Sequence, residues 1–381
     1  MTILIIARGY PTQQYPMNGI FEYDQAKALQ SQGCKVVYVS IDLRSFRRIR
    51  KWGFSHFYDG SLEVFNFSFP IGRNPRFIRL ICGKIGLSII YNKLKQKYGC
   101  PDIIHVHCTS DETLHVDFVD SLKKKYGIPF VITEHRGRLT QEIIQPKLYN
   151  QVQKIYQNAN VVIAVSSSLA AGLKKHTAIN ALVIPNIVQV KNFTYKTPPK
   201  QFSDIFRFVA VGSLEQVKGF DLLIQAFAEA HFESSVQLNI IGEGSQQIFL
   251  QNLIDKSNLR YQVKLLGLKT RDEIAAEFHR SNVMVVSSRF ESFGVVGIEA
   301  LASGLPIIAT DCGGPRDFIN ADNGLIVAKN NISALANGLI NIHKNILNYN
   351  REAIAKNCIK LFSPEIIATK LLSIYKSVIN E

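Results

Sequence analysis

Short runs of Val and Ile, each long enough for one buried strand, recur along the whole chain with helical patterns between them. Residues 2–7 (TILIIA), 35–40 (KVVYVS), 102–107 (DIIHVH), 129–133, 160–165 and 181–184 form a first series, and 61–69 alternates apolar and polar positions. Helical patterns cover 21–32, 76–98 and 147–157. Unbroken apolar strands spaced by helices are buried on both faces, as in a parallel, doubly wound sheet. Residues 188–203, which include Pro198-Pro199, interrupt the rhythm and read as a linker. The alternation then restarts, with strands at 205–211, 236–241, 262–266, 283–286 and 306–310 and helices at 220–230, 246–256, 272–280 and 294–303. The tail from Ser333 reads as several helices. The last starts at Ser363-Pro364-Glu365, where a Ser N-cap precedes Pro in the first helical position. The expectation is an α/β chain of two Rossmann-like domains, 1–187 and 188–364, with 365–381 crossing back to the first. Ligands of such sheets bind beyond the carboxyl ends of the strands, which here places a site in a cleft between two facing domains.

Composition narrows the class. With 46% hydrophobic and 19% charged residues, the 381-residue chain can bury large cores and is not a disordered one. Its six cysteines are dispersed without a C-x-x-C pair, which argues for free thiols in a reducing compartment and against a zinc knuckle. Residues 1–7 are apolar but Arg8 ends the run, unlike a signal peptide, and no 18-residue apolar stretch occurs. A cytoplasmic location is therefore expected. Charge is uneven: residues 1–195 carry 25 Lys and Arg against 12 Asp and Glu, and residues 196–381 carry 19 against 18. The first half is expected to meet something anionic.

The densest chemical signal is residues 287–301, SSRFESFGVVGIEAL, which leave a strand and enter a helix. With Glu291 in the loop and Glu299 in the second helical turn, both carboxylates can face the strand ends. Between them, the N–H groups of Phe293, Gly294 and Val295 sit at a helix N-terminus, which suits a pyrophosphate. The carboxylates would repel such an anion, so they fit better as acceptors for sugar hydroxyls on either side of it. Rival chemistries lack their motifs. After Gly242-x-Gly244 the third dinucleotide-binding glycine is replaced by Gln247, and neither a Walker pattern nor a G-x-S-x-G elbow is present. No nucleic-acid reader motif occurs either.

The segment from Glu291 to Glu299, with its continuation ASGLPIIAT over 302–310, resembles family 4 of the GT-B glycosyltransferases, a retaining, nucleotide-sugar-dependent group. Ile184-Pro185-Asn186, Val211-Gly212-Ser213-Leu214 with Lys218-Gly219, Ile241-Gly242-Glu243-Gly244 and Gly313-Gly314-Pro315 match further motifs in the expected order. The resemblance implies that Glu291 holds hydroxyls of the donor sugar and Glu299 those of the ribose. It also implies that Lys218 neutralises the pyrophosphate while Phe293, Gly294 and Val295 bind it through the backbone. A fixed cation and a helix dipole would stabilise the leaving diphosphate without a metal. No Asp-x-Asp occurs, and no metal or other cofactor is expected. Two departures stand out: Ile187 replaces the glycine after Asn186, and Ser213 stands where the family has Arg. A hydroxyl cannot supply the bidentate phosphate contacts of a guanidinium. Arg8 and Arg316 are the cations that could take its place.

In the first half, Gly19 follows Asn18 after the first strand, where the family has a glycine pair near the donor phosphate. His135, after Thr133-Glu134 at a strand end, matches the family's T-x-H position, and the resemblance implies that it contacts the donor sugar. His105 and His107, along one strand, are read as pointing to opposite faces and so unable to share a metal. The expected reaction moves a sugar from a nucleoside diphosphate to a hydroxyl of a glycan or lipid-linked glycan. The rivals are a GT-B-shaped sugar-nucleotide epimerase and a non-catalytic sugar-nucleotide-binding protein. The stretches 44–52 (RSFRRIRKW) and 73–79 (RNPRFIR) mix Arg with aromatic and aliphatic residues, which suits peripheral binding to an anionic membrane surface on the inner leaflet.

Overall fold

The computed structural model describes residues 1–44, 51–71, 76–108, 113–137, 150, 153–196 and 205–380. Segment 45–50, residues 72–75 and the Pro198-Pro199 pair, on which sequence expectations rest, lie outside them. The chain divides into two compact units, Met1–Ile187 with Pro364–Glu381 and Val188–Ser363.

The first unit is built on an eight-stranded sheet. Its central strands β1 (Thr2–Ala7), β2 (Lys35–Asp42), β5 (Ile103–Cys108), β6 (Phe130–Glu134) and β7 (Val161–Ala164) are parallel and almost wholly buried. That burial is why they read as unbroken Val and Ile runs. β4 (Leu62–Ser68) continues the sheet in parallel beside β2, and the edge strand β3 (Gly53–Asp59) pairs with β4 antiparallel, as a hairpin. The short β8 (Leu182–Val183) closes the other edge. Ile3, Ile5, Val36, Val131 and Ile163 form a core with Ile367, Leu371 and Tyr375 of the C-terminal helix Pro364–Asn380.

In the second unit all six strands are parallel, in the order β11-β10-β9-β12-β13-β14. They are β9 (Phe206–Val211), β10 (Val236–Ile241), β11 (Val263–Leu265), β12 (Val283–Val286), β13 (Ile307–Thr310) and β14 (Gly324–Val327). Phe208, Ile240, Val285 and Ile308 of the sheet are packed by Leu223 and Phe227 from helix 220–229 and by Leu335 and Leu339 from helix 332–344. The strand order reverses between β9 and β12, the switch point at which such sheets bind ligands. Both strands run out toward loops that carry the residues singled out above. Among the described residues, no helix is long and apolar enough to cross a membrane.

Candidate active site

In the second unit, β12 ends in the loop that carries Ser287 to Gly294, and helix 295–302 follows. Gly294 caps that helix in the left-handed region, with φ of 93°. Phe293 turns its side chain into the core against Phe318 and Phe362, with ring centroids 5.4 and 6.0 Å away. Among the described residues, the N–H groups of Phe293, Gly294 and Val295 donate no hydrogen bond. Three open donors at a helix start are what an anion needs.

The same loop is tied to the Gly313-Gly314 turn. Glu291 N–H donates to the Cys312 carbonyl at 2.9 Å, and Gly314 N–H donates to the Glu291 carbonyl at 3.0 Å. Thr310 Oγ1 donates to the Ser288 carbonyl at 2.5 Å. Burial, then the Glu291 carboxylate, push the neighbouring Cys312 thiol up to about 12, so it stays protonated.

Lys218 ends a 3₁₀ turn, Gln216–Lys218, just after β9. Arg289 fixes that turn: its guanidinium donates to the Gln216 carbonyl at 2.6 Å and pairs with Asp221 through two hydrogen bonds of 2.8 and 2.6 Å. Ser287 Oγ donates to the Lys218 carbonyl at 2.9 Å. So placed, the Lys218 ammonium forms an ion pair and hydrogen bond with Glu291 Oε1, and Ser288 Oγ donates to the same oxygen at 2.9 Å. An ammonium has three donors, so Lys218 can keep Glu291 and still reach a phosphate.

Glu299 is buried at 5% exposure, and its carboxylate lies 3.8 Å from the Arg271 guanidinium. Arg271 opens helix 271–280, whose start is set by a capping box between Thr270 and Glu273. The partner of Glu299 was not legible in the sequence, because nothing in a linear pattern links residue 271 to residue 299. Ser213 is exposed, and its neighbour Gly212 lies against the Lys218 side chain. Arg316, one candidate to replace the missing arginine, is held in a bidentate pair with Asp311. The I-G-E-G glycines serve close packing. Gly242 has φ of 144°, and a Cβ there would lie 1.8 Å from the Gly212 carbonyl oxygen.

In the first unit, Gly19 caps helix Ile20–Ser31 with φ of 72°. A Cβ at Gly19 would sit 2.2 Å from the Gly9 carbonyl oxygen, so the two loops can meet only through glycine. The Tyr38 hydroxyl donates to that same oxygen at 2.7 Å. Arg44, expected in a membrane-facing basic stretch, is instead engaged inward. It chelates Asp42 and donates to Asn18 Oδ1 at 2.6 Å, bracing the Asn18-Gly19 loop.

His135 leaves the end of β6. Its neighbours Glu134 and Arg136 form a buried bidentate pair, with Nε to Oε1 at 2.9 Å and Nη2 to Oε2 at 2.7 Å, and the Tyr156 hydroxyl donates to Glu134 at 2.6 Å. His135 N–H also donates to the Cys108 carbonyl at 2.9 Å, so its backbone is fixed on both sides.

The reading of His105 and His107 as opposed is wrong. Residues two apart on a strand share a face, and their rings stack with centroids 4.2 Å apart. His107 Nδ1 lies 3.0 Å from His135 Nε2, and His105 bridges the Tyr375 hydroxyl at 2.6 Å and Thr133 Oγ1 at 2.7 Å. Among the described residues, no group of three or more His, Cys, Asp or Glu side chains could hold a metal ion.

Burial lowers all three histidines. His135 falls to about 4, His105 to about 3 with a smaller push from His135, and His107 lies well below its ordinary value. They are neutral at physiological pH and act there as hydrogen-bonding groups, not as acids. The unfolded chain takes up protons near pH 6.5, whereas the folded one does so only near 4 and below. The unfolded state therefore binds more protons in between, and stability falls as pH drops through that window. The thermal midpoint should decline from pH 6.5 to pH 4, and His105→Gln should flatten that slope. A midpoint that holds steady across the range, or an unchanged slope in the variant, would contradict the buried neutral stack.

Comparison with known proteins finds glycosyltransferase families over both halves of the chain. The family described as "Glycosyl transferases group 1" matches residues 194–360, and "Glycosyltransferase Family 4" matches residues 21–192. An uncharacterized glycosyltransferase of Methanocaldococcus jannaschii is 31% identical over 59% of this chain, a match that spans 61% of that relative's length. The N-acetyl-alpha-D-glucosaminyl L-malate synthase of Bacillus anthracis is 27% identical over 74% of this chain and 76% of its own. Among solved structures, Anabaena HepE in complex with UDP and glucose superposes with a TM-score of 0.74 at 18% identity, covering 99% of this chain and 100% of that one. The likeness shows that the fold is GT-B.

Proposed function

The chain belongs to the glycosyltransferases of group 1 and family 4, and from that premise we propose that it moves a sugar from a nucleoside-diphosphate sugar to a hydroxyl of a glycan or lipid-linked glycan. Retention of the anomeric configuration and a role in cell-surface polysaccharide synthesis are part of the proposal. One observation carries it: Lys218 and Glu291 are paired beside three open N–H donors at the start of helix 295–302, with Glu299 one turn further on. The solved relative with UDP and glucose supports a nucleotide-sugar donor.

In this reading the diphosphate caps the helix and takes hydrogen bonds from Phe293, Gly294 and Val295, with Lys218 beside it. Glu299 accepts from the ribose diol, and Glu291 accepts from hydroxyls of the donor sugar. The C1–O bond to the phosphate breaks as negative charge builds on the leaving oxygen, where a preorganised cation and helix dipole act most strongly. The acceptor hydroxyl adds on the face that the diphosphate leaves, and its proton passes to the departing phosphate. His135 of the first unit keeps only the donor-sugar role that the family resemblance implies for it.

A screen of nucleotide sugars against thermal unfolding tests the donor site. A donor at about 100 times its Kd adds about 2.7 kcal/mol of stability. One nucleotide series should protect the protein, and protection and turnover should both persist in EDTA. Loss of turnover in EDTA that Mn²⁺ or Mg²⁺ restores would contradict the assignment of the diphosphate charge to Lys218 and the helix start.

A further inference from the structure

Helix 76–98 of the first unit, the longest in the described residues, is apolar on two opposite sides. Leu87, Ile90, Tyr91 and Leu94 are buried toward the sheet. On the other side Phe77, Ile81, Ile85 and Ile89 recur every fourth residue with 60, 55, 51 and 41% of their surface exposed. Spacing by four aligns side chains along one stripe of a helix. A soluble helix turns such a stripe into a core, so four large apolar side chains in line on the surface mark a contact face.

The charge on this helix selects the partner. Its 23 residues include six Lys or Arg and no Asp or Glu. Lys84 and Lys93 are exposed on either side of the stripe. The β3–β4 hairpin lies alongside: the Lys93 ammonium sits 4.1 Å from the centroid of the Phe54 ring, and Lys97 donates to the Tyr58 hydroxyl at 2.8 Å. Trp52, which leads into β3, is 57% exposed. A second copy of this face would set lysine against lysine. Nucleic acid would leave the isoleucines without a partner. An anionic bilayer satisfies both features, since apolar side chains enter the acyl boundary while lysines meet the headgroups.

We propose that the outer face of helix 76–98, with the Trp52 end of the hairpin, docks the protein on an anionic membrane surface. This extends the proposed function to the place where an acceptor is met. It centres the contact on helix 76–98, which takes in Phe77 of the second arginine stretch. The test needs no sugar donor, so failure of docking and failure of transfer are read separately.

Trp52 is the only tryptophan in the chain and so a built-in probe. With vesicles of phosphatidylcholine and phosphatidylglycerol at low salt, its emission should shift to the blue and be quenched by brominated acyl chains, and the protein should float with the vesicles. Pure phosphatidylcholine should give neither effect. The triple variant Ile81→Asn, Ile85→Asn, Ile89→Asn changes only exposed positions and should keep the wild-type circular dichroism. Its partitioning should drop at least about tenfold, as should that of Lys84→Glu with Lys93→Glu. Several results would overturn the proposal: equal binding to neutral vesicles, an unshifted Trp52 with anionic ones, or a folded triple variant that floats like the wild type. A wild-type dimer in solution that the triple variant converts to monomer, without flotation of either, would assign the face to a second copy instead.

Discussion

Replacing Lys218 with Ala should lower kcat by about 10²- to 10³-fold, the loss typical when one preorganised charge-stabilising group is removed from an active site. The effect falls on kcat because negative charge on the diphosphate grows as its bond to the sugar breaks, and a group that responds to that growth acts in the transition state. The folded state should change far less. Lys218 is part-exposed, Glu291 keeps its bond from Ser288, and Arg289 and Ser287 hold the turn through its backbone. Steady-state kinetics with a circular-dichroism control check this. A folded Lys218→Ala protein with wild-type kcat would remove the residue from the mechanism.

Glu299→Ala acts elsewhere in the cycle. The ribose hydroxyls are the same in ground and transition states, so their loss of an acceptor is a loss of uniform binding. Each hydrogen bond to a charged group contributes about 1.5–3 kcal/mol, so donor KM should rise at least about tenfold with kcat little changed. The variant also removes the carboxylate that lies 3.8 Å from the Arg271 guanidinium. Glu299→Gln separates the two effects, since the amide still accepts from a hydroxyl but no longer neutralises Arg271. Donor affinity measured by calorimetry should fall further in the Ala variant than in the Gln variant. Unchanged affinity in Glu299→Ala would end its assignment to the ribose.

The contrast between these residues shows what a linear pattern carries. The buried strands were legible because parallel strands covered on both faces leave unbroken apolar runs such as TILIIA and VMVV. Edge strand β3 was not, because GFSHFYD shows neither an apolar run nor a clean two-residue alternation, its aromatic residues falling on both faces of a half-covered edge. Glu291 and Glu299 stood out because a strand-to-helix loop has local spacing rules, and Lys218 only through its match to a family motif. Their supports did not, since Arg289 on Asp221 and Arg271 near Glu299 join positions far apart in the sequence. Arg44 shows the reverse case. Its basic neighbourhood suggested a surface role, while Asp42 and Asn18 turn it inward. The error over His105 and His107 came from misapplying the two-residue period of a strand, which puts both rings in one stack.

The central claim is sugar transfer from a nucleotide at the Lys218–Glu291 site, and acceptor-dependent product formation tests it most directly. With the donor found by thermal protection, nucleoside diphosphate and glycosylated acceptor should appear in equal amounts once glycan or lipid-linked glycan is added. Nuclear magnetic resonance should show the new linkage in the donor's anomeric configuration. Conversion of the donor to an epimer without any acceptor, or a tightly bound donor that yields no product with any glycan acceptor, would contradict it.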